Sequence, residues 1–397
     1  MIQNITVNQQ YRLAKKDEFK ILIVGAGMAG LTTAQMLRKQ GKNPVLIERH
    51  KSDESSGYML ALMPMVDNAM SELNVTKTYL NKSVPIDKFN FYSHQGSLLR
   101  KNSIYEVMNK YGTYRGVSRG SLIEVLTDKG CTLTYDTKVS NLYQKDNKIY
   151  VSFERDEDLF DFDLIIISDG INSSTRNFIV DKNSIDRVDT QWGGWIIWNG
   201  YKIDKYDAKE LYGEGFFIGS YPVKNNVGVF IGGPESKTQY GTAYFTNEIR
   251  DKLNKISPEL NENLNKLSKS PNSFYWSLKD CRCERWHYGN AILLGDAATG
   301  FLPTAGIGAS MAIESAWLLT SMLKEADIYN LKRILKEYEK IQRPRVEKAQ
   351  TASRNLAKLM FNESGIFAHV RDYILKYTTI ERGLKSILKL IENQPKL

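Results

Sequence analysis

The chain has 397 residues, 42% hydrophobic and 11% aromatic; this is enough apolar material for a large core, which excludes a disordered chain and leaves room for two packed lobes. Its formal charge of +9 comes from 54 basic and 45 acidic residues, and along 324–348 the two signs alternate like a solvated helix face, which argues against a nucleic-acid-binding patch. Three cysteines, Cys131, Cys281 and Cys283, are too few for a disulfide framework, and the C-x-C pair too small for a zinc site, so a reducing cytoplasm is expected.

The first twenty residues, MIQNITVNQQYRLAKKDEFK, contain no apolar signal core, and the longest weakly polar stretch, 291–323, is broken by Asp296, Pro303 and Glu314. Neither export nor a membrane span is expected. There is no internal repeat and no low-complexity linker.

Residues 19–48 read as strand, glycine turn, helix and strand: FKILIVG, AGMAGLTTAQMLRKQG, KNPVLIE. Gly25, Gly27 and Gly30 form G-x-G-x-x-G, and Glu48 ends the second strand 18 residues after the last glycine. The first glycine permits the turn, the second admits a pyrophosphate to the backbone, and the third lets helix and strand pack closely. The acid accepts ribose hydroxyls. In this βαβ context the motif predicts dinucleotide binding without saying which dinucleotide.

Farther on, DFDLIIISDGINSSTR contains a strand whose carboxyl end carries Asp169 and Gly170. After about residue 185 the chain turns to aromatic, β-branched runs, QWGGWIIWNGYKI, GFFIGSYPV and NVGVFIGG, spaced like an antiparallel sheet in a second lobe. In the first run Trp192, Gly194, Ile196 and Trp198 share one face, and Gly193, Trp195, Ile197 and Asn199 the other. NAILLGDAATG is then a buried strand delivering Gly295 and Asp296 to its carboxyl end, where open α/β sheets bind ligands. From 311 onward the pattern is helical, with breaks near Asp327 and at 362–365. The four histidines form no cluster suggesting metal or triad chemistry.

Taken in order, these motifs resemble the single-component, FAD-dependent aromatic hydroxylases of the p-hydroxybenzoate and salicylate hydroxylase type, over about residues 19–355. The resemblance implies an α/β fold, with a Rossmann-like FAD-binding domain interleaved with an antiparallel-sheet substrate domain, followed by C-terminal helices. The expected boundaries are 19–185 and 281–350 for FAD, 186–280 for substrate, and 351–397 for the terminal helices. It implies that FAD is held by Gly25, Gly27, Gly30, Glu48 and Arg49, by Arg119, and by Asp169 and Gly170 with the trailing Ser173 and Arg176, this last element also serving the transient nicotinamide. Gly295 and Asp296 complete this set by holding a ribityl or ribose hydroxyl. Pro303, Gly306, Ile307 and Gly308 fall beside the flavin ring, where a helix start favours negative charge on reduced flavin.

The same resemblance implies a monooxygenase that consumes transient NAD(P)H and dioxygen, hydroxylating a phenolic or polycyclic small molecule through a flavin C4a-hydroperoxide. Trp192, Trp198, Asn199, Tyr221 and Phe230 are the expected substrate wall. Thr299, Ile307 and Asn199 stand where the family usually has His, Gln and Arg, so the exact substrate does not carry over by analogy. The tail, 362–397, has apolar residues at helical spacing that fit a cap like that of the tetracycline-inactivating members. A halogenase or prenyl-chain reductase, or a non-catalytic flavin-binding module, is the alternative; the halogenase W-x-W-x-I-P pattern is missing. A monomer or weak homo-oligomer is expected.

Overall fold

The computed structural model describes residues 2–51, 57–200 and 206–395; residues 201–203 of the predicted QWGGWIIWNGYKI run lie outside them. Three uninterrupted apolar segments, Ile21–Val24, Leu164–Ile167 and Ala291–Leu293, are buried along their whole length. Such segments suit a parallel sheet covered on both faces. They pair in parallel with one another and with Val45–Ile47, and His287–Tyr288 closes one edge in antiparallel fashion. The predicted glycine-turn helix is Met28–Lys39. The carboxyl ends of the strands bearing Asp169, Asp296 and the glycine turn therefore come together at one edge.

The second sheet has eight strands, ordered Thr299–Gly300, Phe274–Cys283, Ile185–Gly200, Asn226–Pro234, Phe217–Val223, Asp207–Tyr212, Lys88–Tyr92 and Leu98–Ser103. The last two come from the stretch expected to lie wholly in the first lobe, and Lys88–Tyr92 runs parallel to Asp207–Tyr212. The chain thus makes one more excursion into the second lobe, and so two more crossings between lobes, than the composition shift near 185 suggests. Behind the sheet, Trp195, Ile197, Phe216 and Ile231 pack against helices Thr242–Lys252 and Pro258–Ser268 as a separate core.

The C-terminal helices are Gly308–Met322, Leu331–Met360, Gly365–Tyr377 and Ile380–Glu392, with breaks where Asp327 and 362–365 fall. The last two are pinned by two arginines. Arg371 is wholly buried and donates to the carbonyls of Tyr212 and Gly213, while Arg345 donates to the carbonyls of Leu390 and Asn393. Among the described residues no helix is long and apolar enough to cross a membrane, and no three His, Cys, Asp or Glu residues converge as a metal site.

Candidate flavin and substrate site

Between the sheets lies one cavity of about 620 Å³. Its nucleotide end is built by the glycine turn. Gly25 has φ +98°, and a Cβ there would lie 2.6 Å from the Ser168 carbonyl oxygen, so only glycine fits this turn. At Gly30 a Cβ would come within 1.9 Å of the Gly25 carbonyl oxygen; this glycine sets helix–strand contact and does not line the cavity. Gly27 lines it, and a Cβ there would meet nothing within 4 Å.

Helix Met28–Lys39 begins at Gly27 without a side-chain cap or an acid in its first turn. Helix Gly308–Met322 likewise begins at Ile307 uncapped. Both starts line the same cavity and present unsatisfied N–H groups with partial positive charge, which suits a diphosphate at one and an electron-rich ring edge at the other.

The carboxylates occupy distinct positions. Glu48 accepts from the Ala26 N–H at 2.8 Å and the His50 N–H at 3.0 Å, which holds the turn and leaves further lone pairs for ribose hydroxyls. Asp169 Oδ2 accepts from the Thr175 N–H at 3.2 Å, while its Oδ1 is buried without a hydrogen-bond partner among the described residues. A buried orphan acceptor facing a cavity calls for a donor from a ligand. Asp296 lies on the cavity wall with its side chain open to that space, and the protein packed around the cavity pushes its carboxyl up to about 6 by desolvation. Asp296 and burial together raise the Tyr58 phenol as well, burial being the larger cause.

Arg176 joins the two acid-bearing turns. It is wholly buried, and donates to the Ala297 carbonyl at 2.6 Å and the Ile171 carbonyl at 2.9 Å, so the turns after Asp169 and Asp296 move as one piece. Gly295, with φ +59°, supports this arrangement from behind: its Cβ would press on Ala29. Arg49, Arg119, Gly170, Pro303, Gly306 and Gly308 line the cavity directly. The residues present fit FAD: two bare helix starts, an open glycine for the diphosphate, and acids placed for hydroxyl donors.

At the other end, Ile196, Phe230, Gly219, Glu210 and Phe91 stand in register across five strands. Except for Gly219, which has no side chain, all of these line the cavity, and Tyr221 and Phe217 lie over that glycine. Of the expected substrate wall, the structure thus brings Tyr221 and Phe230 to the cavity. The other three lie outside its lining. Trp192 is one layer back, stacked on Phe361 at 4.7 Å between ring centroids, and it is Phe361 that faces the space. Trp198 is on the same sheet face as Ile196 but farther along, half-buried, with its carbonyl taken by Lys266. Asn199 points to the opposite face, bonded to Asn263 on helix Pro258–Ser268. Alternation correctly separated the faces, but it could not say which rung meets the ligand.

Glu210, Tyr212 and Tyr114 were missed. In DAKELY, a strand places Ala208, Glu210 and Tyr212 on one face, and an acid in that otherwise apolar register was the available signal.

The FAD binding domain family model matches residues 18–353. A flavin-dependent monooxygenase of Legionella longbeachae serogroup 1 (strain NSW150) is 25% identical over 402 residues, covering 94% of this chain and 96% of that protein. Among solved structures, Klebsiella pneumoniae HpxO complexed with FAD and uric acid has a TM-score of 0.84 at 19% identity, with 96% of this chain and 99% of that one covered. Tetracycline destructase Tet(51) has a TM-score of 0.70 at 20% identity, with 96% and 100% covered. At such identities the solved structures show a shared fold, and the family rests on the long model match. The chain therefore belongs to the FAD binding domain family, and within it to the flavin-dependent monooxygenases of the single-component aromatic hydroxylase type.

The elevated Asp296 carboxyl gives a testable sign. Its folded-state pKa lies above the unfolded value, so the folded protein holds this proton more tightly and loses stability as pH rises from about 4 to about 6. FAD-free Asp296→Asn protein is expected to melt above the parent at pH 7.5, with the gap closing below about pH 4. Its FAD affinity should fall on the order of 10-fold through loss of a charged acceptor. Because the side chain is open to the cavity, solvent screens the charge and the gap should be small; thermal melts of both proteins across this range, with FAD titrations, check both effects, and a gap independent of pH would show that the raised carboxyl does not set it.

Proposed function

We propose that the chain hydroxylates a phenolic or polycyclic small molecule at the expense of NAD(P)H and dioxygen, with tetracycline-type antibiotics a specific candidate class. The observation carrying this reading is the single continuous cavity that joins the glycine turn to the aromatic sheet and the tail helices. Bound FAD supplies hydride acceptance and dioxygen activation. The chain's own residues do the remaining work. Gly27 and the start of helix Met28–Lys39 hold the diphosphate, Glu48 and Asp296 hold hydroxyls, and the start of helix Gly308–Met322 opposes negative charge beside the ring. Phe91, Phe217, Phe230 and Phe361 exclude water from the reacting face. There is no second glycine turn in the sequence, so the nicotinamide binds in passing and leaves before oxygen transfer.

Ile374, Leu375, Ile380 and Leu384 of the last two helices also line the cavity, which supports a tail that encloses bulky substrates. Ending the chain after Phe361 is expected to leave FAD bound, because every residue assigned to it precedes that point. Affinity for a tetracycline should fall about 10-fold or more as the apolar wall is lost, and peroxide release should rise. Oxygen-electrode and peroxide assays over phenols, aromatic acids and tetracyclines test this. Efficient coupling with a small benzoate, or a truncation without kinetic effect, would contradict the large-substrate reading.

A further inference from the structure

The substrate end of the cavity contains an electrostatic imbalance. Glu210 lies on the cavity wall, only 9% exposed. Its Oε1 accepts from the Tyr221 hydroxyl at 2.7 Å and its Oε2 from the Tyr212 hydroxyl. Burial, reinforced by the Glu210 charge, drives both phenols well above their ordinary range, so both are neutral donors. Among the described residues no Lys, Arg or His side chain forms an ion pair with Glu210, although such pairs are frequent elsewhere. The basic side chains lining the cavity, Arg49, His50, Arg119 and Lys138, belong to its nucleotide end.

Burial raises the Glu210 carboxyl, and the two tyrosine hydrogen bonds only partly oppose it; a carboxylate held this way is relieved either by taking up a proton or by a cation that comes to it, and a cationic ligand favours the ionised form. A further phenol from a substrate would add a neutral donor and leave the charge uncompensated. The surroundings favour a cation in a second way. The Phe91 and Tyr212 rings lie edge to face at 6.0 Å, Tyr212 and Phe217 at 5.3 Å, and Phe89 meets Tyr221 at 6.4 Å. The Tyr212 ring already carries the buried Arg371 guanidinium, 5.8 Å from its centroid, whereas the electron-rich rings of Phe89, Phe91, Phe217 and Tyr221 beside the carboxylate form the environment that binds ammonium groups.

We infer that Glu210, held by the Tyr212 and Tyr221 hydroxyls and flanked by the rings of Phe89, Phe91, Phe217 and Tyr221, forms a receptor for a protonated amine or quaternary ammonium carried by the substrate. The substrate class narrows accordingly to hydrophobic or aromatic molecules bearing a basic nitrogen, held with the nitrogen against the sheet and the remainder toward Gly306. This deepens, and rests on, the reading of the cavity as a substrate chamber.

The test is calorimetric titration of the FAD-loaded protein, without reductant, with tyramine and with 4-propylphenol, which replaces the ammonium by a methyl group. Tyramine is expected to bind about 10-fold tighter or more, against the order that hydrophobicity alone would give. Glu210→Gln, which preserves the shape of the side chain, should reverse the preference; retained FAD and a melt no lower than the parent's verify folding. If that variant does not fold, the parent's choice between the two probes decides by itself. A parent that favours 4-propylphenol, that binds neither probe at millimolar concentration, or a folded variant that keeps the tyramine preference, overturns the inference. Because no turnover is required, a protein that selects tyramine yet consumes no dioxygen would keep this receptor and lose the oxygenation reading.

Discussion

Arg345→Ala is expected to destabilise the protein by about 3–5 kcal/mol, the usual consequence of leaving one member of a buried ion pair alone. Arg345 grips Glu314 through Nε at 2.7 Å and Nη2 at 2.9 Å, and Glu314 is 1% exposed. The same guanidinium reaches the carbonyls of Leu390 and Asn393 at the end of the last helix. Removing it therefore strands a carboxylate inside helix Gly308–Met322, whose start faces the flavin, and also frees the tail. The melting midpoint should drop by on the order of 5 °C. Adding Glu314→Ala should recover part of the loss, since the stranded charge disappears. Calorimetry on the single and double variants checks this, and a single variant within about 1 kcal/mol of the parent would show that the charge finds another partner.

Gly27→Val should produce a folded, colourless protein. The Cβ position opens onto the cavity with nothing within 4 Å, so the side chain costs the apoprotein little but occupies the approach of the diphosphate to the helix start. FAD affinity should fall on the order of 100-fold or more, about 2.7 kcal/mol. Gly30→Val provides the contrast, because its Cβ would lie 1.9 Å from a backbone oxygen and the change should disrupt the fold itself. Absorbance at the flavin bands and a thermal melt separate the cases. Full FAD occupancy in Gly27→Val would refute the assigned path of the diphosphate.

What the sequence revealed follows from the range of the interactions involved. The glycine turn, the three apolar strands and the positions of Asp169 and Asp296 are local patterns, and each is legible within a few residues. Glu210 is different. Its place depends on Phe91 pairing with it from a distant strand, and that pairing leaves no local trace in the chain. Likewise Trp192, a large aromatic on the correct face, stands behind Phe361 because the long helix Leu331–Met360 ends there, a contact that sheet periodicity does not encode. Arg176 looked like part of a cofactor motif, and its geometry shows a clamp between two turns.

The most direct test of the central claim is a single turnover of the FAD-loaded protein with NAD(P)H and isotope-labelled dioxygen, in the presence of an aromatic substrate that stimulates flavin reduction. The expected product is heavier by one labelled oxygen atom, with the second labelled atom in water and little peroxide. Substrate recovered unchanged, with all the labelled oxygen in peroxide across bulky, small, neutral and amine-bearing aromatics alike, would contradict it.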